Sequence, residues 1–518
     1  MIILSIPFLN KKFVSKQVAE YRDKFEWLEF RLDFHPDFEK FPQNLIDSKT
    51  IITIRDISEG GKFISHRLAL TDTDFLNHEL TRIITNKKNV SHRLALTNTD
   101  EKKIKSADEI NSKNEVTSKD KINYYQMLIQ KYNCLVDCEI KLLSHELARI
   151  FTNKINSRNL ILSFHDFNEK INYKKLEYII NLSNSIPSKF LKIAVNINNY
   201  SDFSKLKLFI SDSNKPVLLV GMGKLGKLSR LLYPFSGSIG TYVGLSEFPT
   251  AKGQITIAES EKFNLKDINK NTKIGGIIGG KQVEKSLGLE FYNQYFKKNN
   301  INAVYLPFVG NDFNDFWDWF ERSKNKCEFY GLTFTMPFKT KIAEKLQSQL
   351  PTANLFLPTK KEIFNTDAIA FQKSIQYLKI KSSDNILIFG SGSTAETALF
   401  SLTKFKNITI SGRNMKIGKL LASKYNNKFI RLQDAANLTF DLIINCTPIG
   451  MNNENFFEST NLQFPMKIID LPYSDKKTPL IQKCEQERIP FVDGKLFWEW
   501  QAKTQLEKFT KILHKRDS

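Results

Sequence analysis

Short apolar runs recur along this chain, separated by helix-length amphipathic segments, and no other feature restricts the fold as much. The runs at residues 27–32, 50–54, 134–140, 159–163, 190–195 and 216–220 are rich in Ile, Leu, Val and Phe. Strands of this kind, each followed by enough chain for a helix, predict α/β architecture: a parallel sheet with helical crossovers. As far as residue 262 the spacing suits a (β/α)8 barrel, which takes roughly 200 to 250 residues. A polar stretch, 263–273, reads as a linker. A second α/β unit then opens at Ile274 and a third at Asn385. The 518 residues require such a division, because a single hydrophobic core does not grow to that size.

One region breaks the alternation. Ser65-His-Arg-Leu-Ala-Leu-Thr71 recurs as Ser91-His-Arg-Leu-Ala-Leu-Thr97, and the stretch from His78 to Lys87 resembles that from His145 to Lys154. The copies are too few and irregular for a solenoid. A duplication inserted into one barrel connection, about residues 65–121, accounts for them. Its tail, 98–121, is rich in Lys, Asp and Asn and reads as a mobile loop. His66, His78, His92 and His145 lie in the copies and read as surface residues, not metal ligands.

Composition works by exclusion. The hydrophobic share is 41% and the charged share 25%, as in globular proteins generally. No apolar run is long enough to cross a bilayer. Residues 1–9 are apolar but lack the basic lead and cleavage site of a signal peptide, so they read as a buried first strand and a cytoplasmic location is expected. The five cysteines, Cys134, Cys138, Cys327, Cys446 and Cys484, suggest neither a disulfide framework nor a metal site. The formal net charge of +21 comes mostly from Lys spread along the chain, without the aromatic interleaving of a nucleic-acid groove. It reads as a solvated surface that helps to attract anionic small molecules, with neither nucleic acid nor membrane expected as a partner.

Several polar motifs fall where barrel strands would end, which is where barrels place their sites. They are Glu29-Phe-Arg31-Leu-Asp33, Thr53-Ile-Arg55 followed by Glu59-Gly-Gly61, Val136-Asp137-Cys-Glu139, Ser163-Phe-His165-Asp166, Phe190-Leu-Lys192-Ile-Ala-Val195, Gly221 to Arg230, and Thr250-Ala-Lys-Gly253-Gln254. Each alone has a plain structural reading: a strand lysine snorkels, a lone histidine packs, a rim arginine pairs at the surface. Together, in this order and spacing, they resemble type I 3-dehydroquinate dehydratases over nearly all of residues 1–260, apart from the insertion. The resemblance implies that Lys192 forms a Schiff base with a ketone and that His165 is the acid/base. Leu191, Ile193 and Val195 are expected to desolvate Lys192 and favour its neutral amine. Glu59 is expected to orient His165, Arg230 to pair with the substrate carboxylate, and Glu29, Arg31, Arg55, Thr250 and Gln254 to hold hydroxyls and carboxylate. Lys252 stands where the family usually has proline.

From Ile274 onward the strings change. Lys285-Ser286-Leu-Gly288, Thr335-Met-Pro-Phe-Lys339, Ala353-Asn354 and Asn365-Thr-Asp367 resemble the substrate domain of shikimate dehydrogenases. There a lysine and an aspartate flank the reacting oxygen, and Lys339 and Asp367 take those places. Residues 385–389 form an apolar strand, followed by Gly390-Ser-Gly392-Ser393-Thr394-Ala395 and a helical run, the context a dinucleotide-binding turn requires. After the next strand, 408–410, no acid follows. Ser411-Gly-Arg413-Asn414 with Lys416 stands there instead, which favours NADP(H) over NAD. Asn445-Cys-Thr447, Asp470-Leu-Pro-Tyr473, Asp493-Gly494 and Gln501 continue the resemblance to about residue 513. It implies substrate contacts from Ser286, Thr335, Asn354, Tyr473 and Gln501, and cofactor contacts from the 390–395 turn, Arg413, Lys416, Thr447 and Gly494. Gly288 replaces the second of two serines that hold the shikimate carboxylate in the family, and Lys285 or Lys281 is expected to compensate.

The resulting domain reading is a dehydratase barrel (1–262), a linker (263–273), a substrate domain (274–375), a Rossmann domain (376–490) and a C-terminal helical segment (491–518) returning to the substrate domain. The two resemblances describe consecutive reactions, from 3-dehydroquinate through 3-dehydroshikimate to shikimate. The alternatives are a quinate/shikimate dehydrogenase with a weakened first domain, and a non-catalytic basic binding protein on degenerate enzyme folds. No metal is expected, and the oligomeric state is open.

Overall fold

The computed structural model describes residues 1–35, 37–55, 118–140, 157–251, 253–473 and 476–514. The repeated segments, their four histidines, Glu59 and Lys252 lie outside the described residues. Two compact units divide the chain, Met1–Glu261 and Lys262–Ser518.

In the first unit the apolar runs are strands: β1 (Ile2–Pro7), β2 (Trp27–Arg31), β3 (Thr50–Thr53), β4 (Leu135–Glu139), β5 (Leu160–Asp166), β6 (Phe190–Asn196), β7 (Val217–Met222), β8 (Thr241–Gly244) and the short β9 (Ile255–Thr256). They form one parallel sheet in the order β7-β6-β5-β4-β3-β2-β1-β8-β9. β1 to β7 are therefore neighbours in sequence order, as right-handed crossovers produce. At the other margin the Ile239 N–H donates to Val217 O at 2.9 Å. Ile3, Ile51, Leu135, Ile161, Ala194, Leu218, Val220 and Tyr242 pack together as a core, one or two from almost every strand. β5 runs on to Asp166, past the expected end at 163, because His165 and Asp166 still pair with β6.

The boundary of the insertion needs correction. Residues 118–121 belong to the helix Ser118–Tyr132 rather than to a loop. Its polar start hides an amphipathic helix anchored by Tyr125 and Leu128, both buried.

The second unit holds two sheets. β10 (Lys273–Gly279), β11 (Ala303–Val309) and β12 (Phe329–Phe334) are parallel, and β13 (Leu355–Leu357) and β14 (Glu362–Phe364) add antiparallel strands, in the order β11-β10-β12-β13-β14. β15 (Ile386–Phe389), β16 (Ile408–Ser411), β17 (Lys428–Phe429), β18 (Leu442–Asn445), β19 (Lys467–Asp470) and β20 (Phe491–Asp493) form a parallel sheet, β17-β16-β15-β18-β19-β20. The last helix, Gly494–Leu513, packs Phe509 where Gly331 leaves room, and Gln505 Nε2 donates to Thr366 Oγ1 at 2.8 Å. The stretch read as a polar linker buries Phe263, Leu265 and Ile268; the Lys and Asn residues between them masked that apolar spacing. No helix among the described residues is long and apolar enough to cross a membrane.

Candidate active sites

Polar residues two apart on a strand face the same way, and a parallel ladder sets them level with their neighbours. Ser5 stands beside Glu29, Thr53 beside Asp137, and Ser163 beside Lys192. Lys192 donates to Asp137 Oδ2 at 2.8 Å and to Glu29 Oε1 at 3.5 Å. Its ammonium also lies 4.4 Å from the centroid of the Tyr242 ring. This corrects the expected apolar setting. Adjacent strand residues face opposite ways, so Leu191, Ile193 and Val195 point away from the ammonium, and cross-strand carboxylates surround it.

Arg55 joins the carboxylates. Nη1 donates to Glu139 Oε2 at 2.8 Å, and Nη2 to Asp137 Oδ1 at 2.5 Å and Ser163 Oγ at 3.1 Å. Burial pushes the Asp137 carboxyl up, but Arg55 and Lys192 outweigh it and hold it below the ordinary range. Glu139 in turn grips His165: Oε1 accepts its backbone N–H at 3.0 Å and Oε2 lies 2.8 Å from Nδ1. With Nδ1 engaged, Nε2 is left to exchange a proton. Burial first, then the charges of Arg55 and Lys192, pushes His165 well below its ordinary range, which keeps the ring in the neutral form that can accept a proton. The carboxylate on the ring is thus Glu139; Glu59, expected there, lies outside the described residues. Asp137 and Glu139 had been visible only as an acidic alternation in a buried strand, and no role attached to them.

The expected substrate-binding residues separate into two groups. Arg31 and Arg55 are buried and engaged by carboxylates of the chain itself. Arg31 forks onto Asp33 at 2.8 and 2.7 Å and reaches Thr250 O at 3.3 Å. Glu29 accepts from Thr53 Oγ1 at 2.8 Å and from Ser5, and Thr250 Oγ1 lies 2.8 Å from Ser5 Oγ and 3.1 Å from Gln254 Oε1. Arg230 is different. It is 1% exposed, its Nε donates to Gly221 O at 2.9 Å, and among the described residues its Nη2 has no acceptor. Burial lowers its guanidinium to about 10. An anionic ligand would satisfy that fork.

The second unit builds its site around an ion pair. Lys339, opening the helix Lys339–Lys345, pairs with Asp367 in the first turn of Thr366–Tyr377. Asn354 Nδ2 donates to Asp367 Oδ1 at 2.9 Å and lies 3.4 Å from Gln501 Oε1, while its Oδ1 accepts the Thr366 N–H at 2.7 Å. Lys339, Asp367, Asn354 and Gln501 are therefore one cluster. Thr335 and Ser286 are half-buried and Tyr473 is exposed. Lys281 and Lys285, expected to compensate for Gly288, are exposed on the short helix Lys281–Lys285. A Cβ on Gly288 would lie 3.0 Å from Tyr292 Cε2 and 3.3 Å from Tyr305 Cε1. Two rings thus crowd the space that a serine side chain would enter.

The turn after β15 suits a dinucleotide. Gly390 has φ +131°, which side chains rarely adopt, and a Cβ there would lie 3.2 Å from that of Cys446. Gly392 has open space around it and leads into the helix Ser393–Ser401 without a side-chain cap. The helix's first N–H groups are thus available to a phosphate. Ala395 is buried against the core, with Ser393 and Thr394 half-buried at the rim. Arg413 and Lys416 are exposed beyond β16, and the Ser411 hydroxyl is buried without a partner among the described residues. Thr447 Oγ1 donates to Asn445 Oδ1 at 2.7 Å. Gly494 lets the chain pass where a Cβ would meet Leu471 O at 2.4 Å. Among the described residues, no group of three His, Cys, Asp or Glu side chains gathers to hold a metal.

Comparison with known proteins agrees with this division. Residues 104–264 match the family model of type I 3-dehydroquinase, a stretch that includes His165, Lys192 and Arg230. Residues 278–356 match the shikimate dehydrogenase substrate binding domain. A shikimate dehydrogenase (NADP(+)) of Clostridium botulinum is 30% identical over 242 residues, 44% of this chain and 92% of that protein. The bifunctional 3-dehydroquinate dehydratase/shikimate dehydrogenase, chloroplastic, of Arabidopsis thaliana is 24% identical over 408 residues, 72% of this chain and 67% of that one. The shikimate biosynthesis protein AroDE of Chlamydia pneumoniae is 26% identical over 352 residues, 65% and 70% of the two chains. The chain belongs to the shikimate dehydrogenase family through its second half, fused behind a type I 3-dehydroquinase.

Proposed function

We propose that the chain catalyses two consecutive steps: dehydration of 3-dehydroquinate to 3-dehydroshikimate, then reduction of that product to shikimate with NADPH. The observation that carries the first step is the hydrogen-bonded chain joining Lys192, Asp137, Arg55, Glu139 and His165. We read the sheet holding it as a (β/α)8 barrel, supported by β8 lying beside β1 and by the bond from Ile239 to Val217 across the remaining gap. We further read 274–375 as the substrate domain and 376–490 as the Rossmann domain, in a cytoplasmic enzyme, as five free thiols suit.

In the barrel, Lys192 attacks the ketone carbon once it has given up its proton, and loss of water leaves an imine. The protonated imine draws electrons from the adjacent carbon, so His165 Nε2 can take a proton there. The electron pair expels the neighbouring hydroxyl, which leaves as water with the proton His165 returns. A second water hydrolyses the imine and frees Lys192. Arg230 holds the carboxylate, Glu29, Thr250 and Gln254 face the hydroxyls, and Arg31 and Arg55 fix the carboxylates that orient the site.

In the second unit, NADPH held at the Gly390–Ala395 turn would supply the hydride for the carbonyl carbon. Lys339 gives its proton to the oxygen as charge develops there, and Asp367, held by Asn354, keeps the ammonium in place. Ser286, Thr335, Tyr473 and Gln501 bind the substrate around it. The Gly390–Ala395 turn would hold the pyrophosphate, with Thr447 and Gly494 beside the cofactor. Arg413 and Lys416, with no acid after β16, favour the extra phosphate of NADP(H).

Borohydride reduction in the presence of 3-dehydroquinate should leave a stable adduct on the wild-type chain and none on Lys192→Ala. That variant should still oxidise shikimate with NADP. Undiminished dehydration by Lys192→Ala would remove Lys192 from its role. Failure of the wild-type chain to convert 3-dehydroquinate plus NADPH to shikimate would remove the two-step reading.

A further inference from the structure

The floor beneath Lys192 carries a group that the mechanism has not used. Tyr242, on β8, is 3% exposed, and its ring faces the Lys192 ammonium at 4.4 Å. Its hydroxyl is buried and has no hydrogen-bond partner among the described residues. A buried hydroxyl without a partner lowers stability, so a phenylalanine would fill the same space more favourably. Unsatisfied buried groups are uncommon, and each calls for a reason such as a strained, catalytic or ligand-completed position. A second orphan lies in the same site. Arg230 Nη2 is also buried without an acceptor among the described residues, and the Tyr242 phenol is near enough to act electrostatically on the Arg230 guanidinium. Two donors left open in one site, one of them cationic, fit a ligand group that accepts several hydrogen bonds and carries negative charge.

We propose that the Tyr242 hydroxyl is a substrate-binding donor that shares with Arg230 the carboxylate of the dehydratase substrate. The inference rests on the dehydratase reading of this unit. Burial foremost, with Glu29 and Asp137 nearby, pushes the phenol well above its ordinary range, so it remains a donor throughout the working pH range. The ring serves separately: it faces the ammonium and limits where Lys192 can reach. Tyr242 thereby ties the carboxylate end of the substrate to the lysine that attacks its ketone.

Tyr242→Phe tests the hydroxyl alone, since it keeps the ring. Losing a donor to a charged group corresponds to roughly a ten- to hundredfold weakening. The Michaelis constant for 3-dehydroquinate should rise by about that factor. The turnover number should stay near the wild-type value, and the dissociation constant of 3-dehydroshikimate should rise in parallel. The midpoint of thermal unfolding should be unchanged or higher, because no internal hydrogen bond is lost. Shikimate oxidation by the same polypeptide serves as a control and should not change. Unchanged Michaelis and dissociation constants would overturn the proposal, as would a lower unfolding midpoint, which would mark the hydroxyl as structural. A lower turnover number at constant Michaelis constant would overturn the carboxylate assignment by placing the hydroxyl on the reacting atoms. If the wild-type chain forms no borohydride-trapped adduct, the dehydratase reading fails and the inference with it; an adduct with unaltered constants in Tyr242→Phe removes the inference alone.

Discussion

In the proposed dehydratase Glu139 acts at one remove from the chemistry: its carboxylate lies against the His165 ring and also accepts from Arg55. Glu139→Gln keeps the shape but removes the charge that stabilises His165 as it takes up a proton. General acid/base catalysis contributes about 10²- to 10⁴-fold, and we expect the turnover number for dehydration to fall by about 10²-fold. The Michaelis constant should change less, and shikimate oxidation not at all. Turnover within twofold of wild type would mean that His165 is oriented by something else. Gly288 gives the opposite lesson. By resemblance alone, restoring a serine there should improve shikimate binding. The rings of Tyr292 and Tyr305 leave little room for it and are held in place, because Tyr292 Oη is tied to Gln505 Oε1 at 2.6 Å and Tyr305 to Thr333. Overpacking a core costs about 1–3 kcal/mol, so Gly288→Ser should lower the unfolding midpoint and leave the Michaelis constant for shikimate no better. A lower constant at unchanged stability would show that the rings yield. Both cases mark what residues reveal in sequence. Lys192, His165, Lys339 and Asp367 stand out because their types are costly inside apolar strands and at tight turns. The pairing of Arg55 with Glu139 spans 84 positions and follows only from strand register. The crowding at Gly288 depends on rings contributed by a helix and a neighbouring strand.

Elements were easier to read where burial is continuous. Strands buried on both faces are apolar almost throughout, so their positions emerged to within a few residues. The helix Ser118–Tyr132 was partly missed because its first turns are polar, and the 263–273 stretch because its three buried residues are diluted by Lys and Asn. Strand ends carry the polar consequences. Asn445 closes β18 and Asp470 closes β19, and Asn445 Nδ2 donates to Asp470 Oδ1 at 2.8 Å while its Oδ1 accepts from Thr447. Thr478 Oγ1 donates to Asp470 Oδ2 at 2.5 Å. Burial pushes Asp470 up to about 6, with Asp493 adding and the two hydrogen bonds opposing. An unfolded aspartate titrates near about 3.9, so the folded state binds the proton more tightly between those values. The stability this contributes is full below pH 4 or so and is lost as pH rises through about 6. Asp470→Asn, neutral throughout, should therefore gain on the wild type as pH rises across that window, by up to about 3 kcal/mol at neutral pH. Urea melts of both proteins at several pH values check this. A stability difference independent of pH would show that Asp470 is not titrating there.

At the scale of the whole molecule, each unit buries its own core and builds its site from its own residues. Every hydrogen bond described at the Lys192 site joins residues before 262, and every one at the Lys339 site joins residues after it. Among the described residues no hydrogen bond named for either cluster reaches the other unit, and on the proposed function 3-dehydroshikimate links the two steps. Two chains, each disabled in one unit, should therefore complement each other in solution. Lys192→Ala alone should make no shikimate from 3-dehydroquinate and NADPH, and Lys339→Ala alone should stop at 3-dehydroshikimate. Mixed together, they should restore shikimate formation after a lag, while the intermediate released by one protein accumulates for the other. Added 3-dehydroshikimate should abolish the lag, since it bypasses the first step. The measurement is NADPH consumption with time, checked by chromatography of the products. If the mixture stays inactive while each variant retains its intact half-reaction on the separate substrate, free 3-dehydroshikimate is not what connects the two sites.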